Sequence, residues 1–207
     1  MSRRDPEQIK LRSEVLIADA EAGVVSSIEI CFAEHGWTAR TLAGDDDVVA
    51  VVLDRSPSCV LLDVQHRQQS LARLDALRSR GYGKPILAMS GVLDIPTIVA
   101  SIKRGADDFI RTTEGPGPVF NAVSRAVAAW TARQAQPDCR FGEKFKSHAA
   151  LSGREMDILR GIAAGATAKE AATRLELSPR TVEFYRSRLL SKLGARNAAD
   201  LMRIVME

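Results

Sequence analysis

The sequence predicts a chain in two parts: an α/β unit built on a five-stranded, parallel, doubly wound sheet, then an all-α unit of four short helices. Three observations carry this. From Val15 to Trp130, short apolar runs alternate with helical patterns. Those runs are apolar throughout rather than every second residue, as strands covered on both faces are. After a break at 134–148, helical periodicity returns and no segment reads as a strand.

Each element follows from its residues. Behind a polar tail (1–12), VLIA (15–18) is the first strand and stops on Asp19; AGVVSSIEICFAEH (22–35) is a helix closed near Gly36. WTART (37–41) is the second strand. The helix in DDDVVAVVLD (45–54) opens on three acids, which suit the positive end of a helix dipole. CVLL (59–62) is a strand ending on Asp63, and the polar stretch VQHRQQS (64–70) is a loop before the helix LARLDALRSR (71–80). PILAM (85–89) ends on Ser90, IPTIVASIKR (95–104) is a helix closed by Gly105, and DDFI (107–110) is the last strand. In VFNAVSRAVAAWTARQ (119–134), Val119, Phe120, Val123, Ala126, Val127 and Trp130 share one helical face. The sheet unit is thus expected over 13–133, a linker with Pro, Gly and mixed charge over 134–148, and the helical unit over 149–207.

Composition narrows the function classes. At 207 residues the chain suits two small domains. Hydrophobic residues make up 45% and charged residues 27%, an ordinary soluble balance. No apolar run approaches the ~20 residues of a membrane helix. The opening MSRRDPEQIK lacks the apolar core of a secretion signal, so a cytoplasmic location with no membrane partner is expected. Three scattered cysteines (Cys31, Cys59, Cys139) make neither a disulfide framework nor a zinc site. The net charge of +3 is uneven. Residues 139–207 hold 13 Lys/Arg against 8 Asp/Glu, a net of +5, whereas residues 1–138 hold 16 against 18, a net of −2. A basic C-terminal third points to a polyanionic partner.

TAKEAATRLELSPRTVEFYRSRLLSKLGA (167–195) has the pattern of a helix, a turn near Glu176 and Leu177, and a second helix with Ser178 at the N-cap and Pro179 at its first position. On the second helix Val182, Leu189, Leu193 and part of Tyr185 form a core stripe. Glu183, Phe184 and Ser187 lie opposite, flanked by Arg180, Arg186, Arg188 and Lys192. A rigid helix edged with cations is what the major groove accepts. A helical bundle with a basic solvated face fits the same pattern.

The stretch 151–201 resembles the LuxR/FixJ-type four-helix DNA-binding domain. The matching landmarks are Leu151–Ser152, Arg154–Glu155, Gly165, Lys169–Glu170, SPRTVEFYR (178–186) and Lys192–Leu193–Gly194. The resemblance implies base-edge contacts from Glu183, Phe184 and Ser187, and phosphate contacts from Lys169, Arg180, Arg186, Arg188 and Lys192. Ala168 and Tyr185 depart from the family's frequent Asn and His, which bears on specificity. The last helix, with Leu201, Met202, Ile204 and Val205, is either the family's usual dimer surface or simply core.

The N-terminal order of elements is similar to a flavodoxin-like receiver domain of two-component response regulators. The resemblance places the phosphoacceptor at Asp63, with Asp19, Ser90, Thr112 and the switch aromatic Phe109 around it; GADDFI (105–110) is a good local match. Receiver chemistry needs Mg²⁺ on hard oxygen ligands, a hydroxyl and a Lys. Asp19, Asp63 and the Gln65 carbonyl remain as metal ligands, and Ser90 as the hydroxyl. Ala20, however, replaces the second acid, and Thr112 stands in place of the Lys. Arg111 is no automatic substitute, because adjacent strand residues face opposite ways. His66 reads as a solvated loop residue. A weak or absent Mg²⁺ site is therefore expected.

These readings converge on a dimeric regulator of transcription that binds double-stranded DNA and has an atypical receiver, with a sensor histidine kinase or another protein as the receiver's partner. The alternatives are a conventional phosphorelay regulator phosphorylated at Asp63, and a protein-interaction adaptor that uses the basic helix. An enzyme is not expected: no nucleophile, base or phosphate-cradling Gly-rich loop accompanies the two acids.

Overall fold

A computed structural model describes residues 13–18, 20, 22–42, 47–135, 151–175 and 177–206. The tail, Asp19, Asp45, Asp46, Cys139, Glu176 and the core of the expected linker lie outside the described residues. The chain divides into two units, 1–131 and 132–207.

In the first unit, strands β1 (Glu14–Ala18), β2 (Thr38–Thr41), β3 (Cys59–Asp63), β4 (Ile86–Ser90) and β5 (Asp108–Arg111) form one sheet in the order β2-β1-β3-β4-β5. Every pair is parallel. The helices between them are α1 (Ala22–Glu34), α2 (Val48–Arg55), α3 (Arg67–Ser79) and α4 (Ile95–Arg104). A short 3₁₀ turn (Thr112–Glu114) and α5 (Pro116–Ala135) follow β5.

Because β1, β3 and β4 are buried on both faces, their residues sort alternately into two cores. Leu16, Val60, Leu62, Ile86 and Ala88 pack with Val52, Leu74 and Leu77 on one side. Val15, Ile17, Leu61, Leu87 and Met89 pack with Ile28, Phe32, Val119 and Val123 on the other. Strand order reverses between β1 and β3, so the carboxyl ends of those strands open the crevice where such sheets place ligands. Asp63 closes β3 at that edge.

Two expected boundaries move. The stretch VQHRQQS is not a loop throughout: α3 starts at Arg67. Ser70 is fully buried and its hydroxyl donates to the Asp63 carbonyl at 2.7 Å, so a polar residue serves as an internal anchor for the first turn. Helix α5 starts at Pro116 rather than Val119, since proline at a first helical position sacrifices no hydrogen bond.

The second unit holds α6 (Gly153–Ala163), α7 (Ala168–Leu175), α8 (Pro179–Lys192) and α9 (Ala198–Met206). Ile158, Leu159, Ala171, Val182, Tyr185, Leu189, Leu201 and Val205 make its core. Helix α6 begins with a capping box between Ser152 and Glu155. Ser178 caps α8 by accepting from the Thr181 amide at 3.1 Å. Of the α9 residues, Leu201 and Val205 are fully buried core, while Met202 and Ile204 are half-buried. Among the described residues no helix is long and apolar enough to cross a membrane.

Candidate nucleic-acid interface and phosphoacceptor site

Helix α8 turns its apolar stripe inward through Val182, Tyr185 and Leu189, each at most 3% exposed. The 100° step between successive residues then carries Glu183, Phe184 and Ser187 outward, and all three are exposed. Phe184 is a large apolar side chain left 38% exposed on a charged surface, in edge-to-face contact with Tyr185. Tyr185 itself packs inside, so the departure at this position acts on the core and does not present a group to bases. Ala168 likewise packs against the core. Lys169 and Arg180 are exposed, and Arg186 sits 3.7 Å from Glu183 one turn away.

The remaining two cations of α8 are placed differently. Arg188 Nε and Lys192 Nζ each lie 3.0 Å from the carboxylate of Glu155, which is 1% exposed. Lys192 donates a hydrogen bond to Oε2, and that oxygen also accepts from the Ser152 amide at 2.8 Å. Arg188 faces Oε1 as an ion pair without hydrogen-bond alignment. Burial alone raises the carboxyl's pKa. The Lys192 charge, the Ser152 amide, the Lys192 hydrogen bond and the Arg188 charge outweigh that and hold it below its ordinary value. Sequence reasoning missed this centre. The signal available was Ser-x-x-Glu at 152–155, which marks a helix start but gives no hint that the same acid reaches Arg188 and Lys192, 33 and 37 residues further on.

At the sheet edge, Asp63 is buried and its Oδ1 accepts from the Gln65 amide at 2.8 Å. Ser90, also buried, ends the neighbouring strand; its Oγ accepts from the Val92 amide at 3.1 Å. A cavity of about 180 Å³ opens beside them, lined among others by Val64, Gln65, Arg67, Ser90, Thr97 and Phe109. Thr112 opens the 3₁₀ turn next to Gly91: a Cβ on Gly91 would lie 3.5 Å from the Thr112 hydroxyl. The hydroxyl thus sits near the Ser90–Gly91 segment. Arg111 is exposed and its Nε donates to Thr113, with Glu114 3.9 Å from Nη1. His66 is exposed at the α3 N-cap.

Ala20 packs against the apolar core. Among the described residues no three His, Cys, Asp or Glu side chains gather into a metal site. Asp63 and the Gln65 carbonyl are hard oxygen donors, and Asp19 lies outside the described residues. Oxygen donors of this kind are what Mg²⁺ takes, with waters completing its near-octahedral shell.

The chain matches known proteins along most of its length. Residues 149–205 match the family of bacterial regulatory proteins of the luxR type. The C4-dicarboxylate transport transcriptional regulatory protein DctR of Rhodobacter capsulatus is 35% identical over 193 residues, 92% of this chain and 98% of that one. The transcriptional regulatory protein FixJ of Azorhizobium caulinodans is 33% identical over 195 residues, 93% of this chain and 91% of that one. In fold, the crystal structure of a response regulator from Thermotoga maritima superposes with a TM-score of 0.52 at 19% identity, over 57% of this chain and 99% of that one.

Proposed function

This chain belongs to the LuxR/FixJ-type transcriptional response regulators, and we propose that it binds duplex DNA as a homodimer through α8 while its sheet unit works without the usual phosphoryl switch. The single observation behind the DNA reading is the outward face of α8, where Glu183, Phe184 and Ser187 stand exposed beside Arg180 and Arg186. In the major groove, Glu183 accepts from a cytosine amino group, Phe184 meets a thymine methyl, and the cations meet phosphates. Two half-sites about one helical turn apart are the matching operator. The cytoplasm, where the chromosome lies, is the proposed location.

Phosphate independence rests on the sheet edge. An aspartyl phosphate at Asp63 has a hydroxyl in Ser90, but Thr112 brings no positive charge and Ala20 no metal ligand. A charge-assisted hydrogen bond contributes roughly 1.5–3 kcal/mol, so losing the Lys and one metal ligand lowers the phosphorylated state's stability about a hundredfold or more. The retained Asp63 and Ser90 favour a second reading, a conventional phosphorelay regulator driven by a sensor histidine kinase.

The test is duplex selection from a random library with the full chain, followed by affinity against salt. A selected sequence bound with a log–log slope near −0.9 per phosphate is expected. Phe184→Ala and Ser187→Ala each cost about 1–3 kcal/mol on the selected site and change the preferred bases. Failure to enrich any sequence, or salt-independent capture, overturns the reading.

A further inference from the structure

We propose that Glu155 is a positioning residue for DNA recognition, which takes Arg188 and Lys192 out of the set of phosphate-binding cations and uses them to lock α8 against α6. The inference rests on the DNA-binding reading and goes beyond it, since by sequence these two residues count among the phosphate contacts.

The geometry carries the argument. Glu155 is 1% exposed, whereas Arg188 and Lys192 side chains are 24% and 23% exposed, about half or less of what Glu183 on the same helix shows at 54%. One carboxylate of charge −1 faces two cations at 3.0 Å, while its other bond, from the Ser152 amide, fixes it to the first turn of α6. Pulling either cation out to a phosphate uncovers a buried anion, and desolvation opposes that strongly. Arg188 and Lys192 are four residues apart, one turn of α8, so a single acid grips the C-terminal half of the helix at two points. At the other end the Ser178 cap and Pro179 fix the N-terminus. Between these holds lie Glu183, Phe184 and Ser187. Their angle toward base edges is set by both clamps, and a positional error of about 1 Å is enough to spoil such contacts. The phosphate load then falls to Lys169, Arg180 and Arg186.

Salt dependence distinguishes a cation on a phosphate from one on Glu155. The full chain is titrated with a random-sequence duplex and with a duplex selected from a random library, across a salt series. Arg180→Gln and Lys169→Gln are expected to reduce the slope by about 0.9 each, whereas Arg188→Gln and Lys192→Gln change it by less than about 0.3. Glu155→Gln, which removes the buried charge that both cations face, is expected to steepen the random-duplex slope and to lower the ratio of selected to random affinity about tenfold or more, one well-placed base contact's worth. Circular dichroism melting checks that each variant folds. Should Glu155→Gln not fold, the triple variant Glu155→Gln/Arg188→Gln/Lys192→Gln leaves no buried charge unpaired and is expected to keep the wild-type random-duplex slope while losing the same discrimination. A full loss of about 0.9 in slope for Arg188→Gln or Lys192→Gln, or discrimination unchanged without Glu155, overturns the inference while leaving DNA binding intact. A wild-type chain that binds no duplex removes the DNA reading and this inference together.

Discussion

Among the described residues, the sheet unit and the helical unit each bury a charged side chain in an ion pair, and they hold it differently. In the sheet unit it is Arg78, with a side chain 1% exposed. Its Nε donates to the Gly105 carbonyl at 2.9 Å, Nη1 to the carbonyls of Tyr82 and Lys84 at 2.6 and 2.8 Å, and Nη2 to Asp107 at 2.7 Å. Asp107 in turn accepts from the Ile86 amide at 2.9 Å. Most of these partners are main-chain groups of the loops entering β4 and β5, so the ion fastens the framework at the end of the sheet away from Asp63. In the helical unit it is Glu155, whose charged partners are two side chains of α8. An ion fastened to backbone holds a fold; an ion fastened to the helix that carries the exposed recognition face ties the fold to what that face does.

The contrast can be broken in order of size. Arg78→Ala leaves Asp107 and three carbonyls without their donor, and a loss of about 3–5 kcal/mol in the sheet unit is expected. Both tryptophans, Trp37 and Trp130, lie in that unit, so their fluorescence in urea reads it alone. A loss below about 1 kcal/mol would mean the network is no more than a surface pair. Restoring the missing chemistry with Ala20→Asp and Thr112→Lys together is expected to raise acyl-phosphate at Asp63 roughly a hundredfold, through about 3 kcal/mol of recovered interactions. Phosphate incorporation from a small donor with Mg²⁺ measures it, and no gain would show that the pocket fails for another reason.

Smaller effects sharpen the comparison. Gly105 has φ of 109°, and a Cβ there would lie 3.0 Å from Cγ and 3.2 Å from Nε of Arg78. Gly105→Ala therefore costs roughly 1–2 kcal/mol from backbone conformation, before any displacement of Arg78. Ser178→Ala removes the α8 cap and is expected to cost the helical unit about 1 kcal/mol, read by circular dichroism melting. Acidification probes the Glu155 centre. Glu155 has its pKa depressed in the folded unit, so its contribution is present above the ordinary Glu range and is lost as pH falls through the depressed value. The helical unit's acid-induced loss of stability should shrink in Glu155→Gln, measured by melts across the acid range.

How much of this was legible in the residues varies by the kind of interaction. The three inner strands were visible because both faces are covered, and VLIA, CVLL and PILAM are apolar without interruption. The α8 start was visible because Ser178–Pro179 is a local code. The α3 start was hidden: Ser70 looks like a loop residue until the fold brings it to the Asp63 carbonyl. Arg78 sits in LARLDALRSR as one of three arginines near a helix end, and only the tertiary fold brings the Gly105, Tyr82 and Lys84 carbonyls to it. On α8, position on the helix placed Glu183, Phe184 and Ser187 outward. Position alone treated Arg188 and Lys192 as their equals, because charge partners distant in sequence leave no periodic trace.

The proposal that the regulator's DNA-binding unit works without a phosphoryl switch is tested most directly by one titration. Full-length protein is titrated with its selected duplex alone, with a small phosphodonor and Mg²⁺, and as Asp63→Ala. Affinities agreeing within about twofold across all three are the expected result, because a pocket without the second acid and the Lys transmits little coupling energy. An affinity gain of about fivefold or more with the donor, absent in Asp63→Ala, would contradict it.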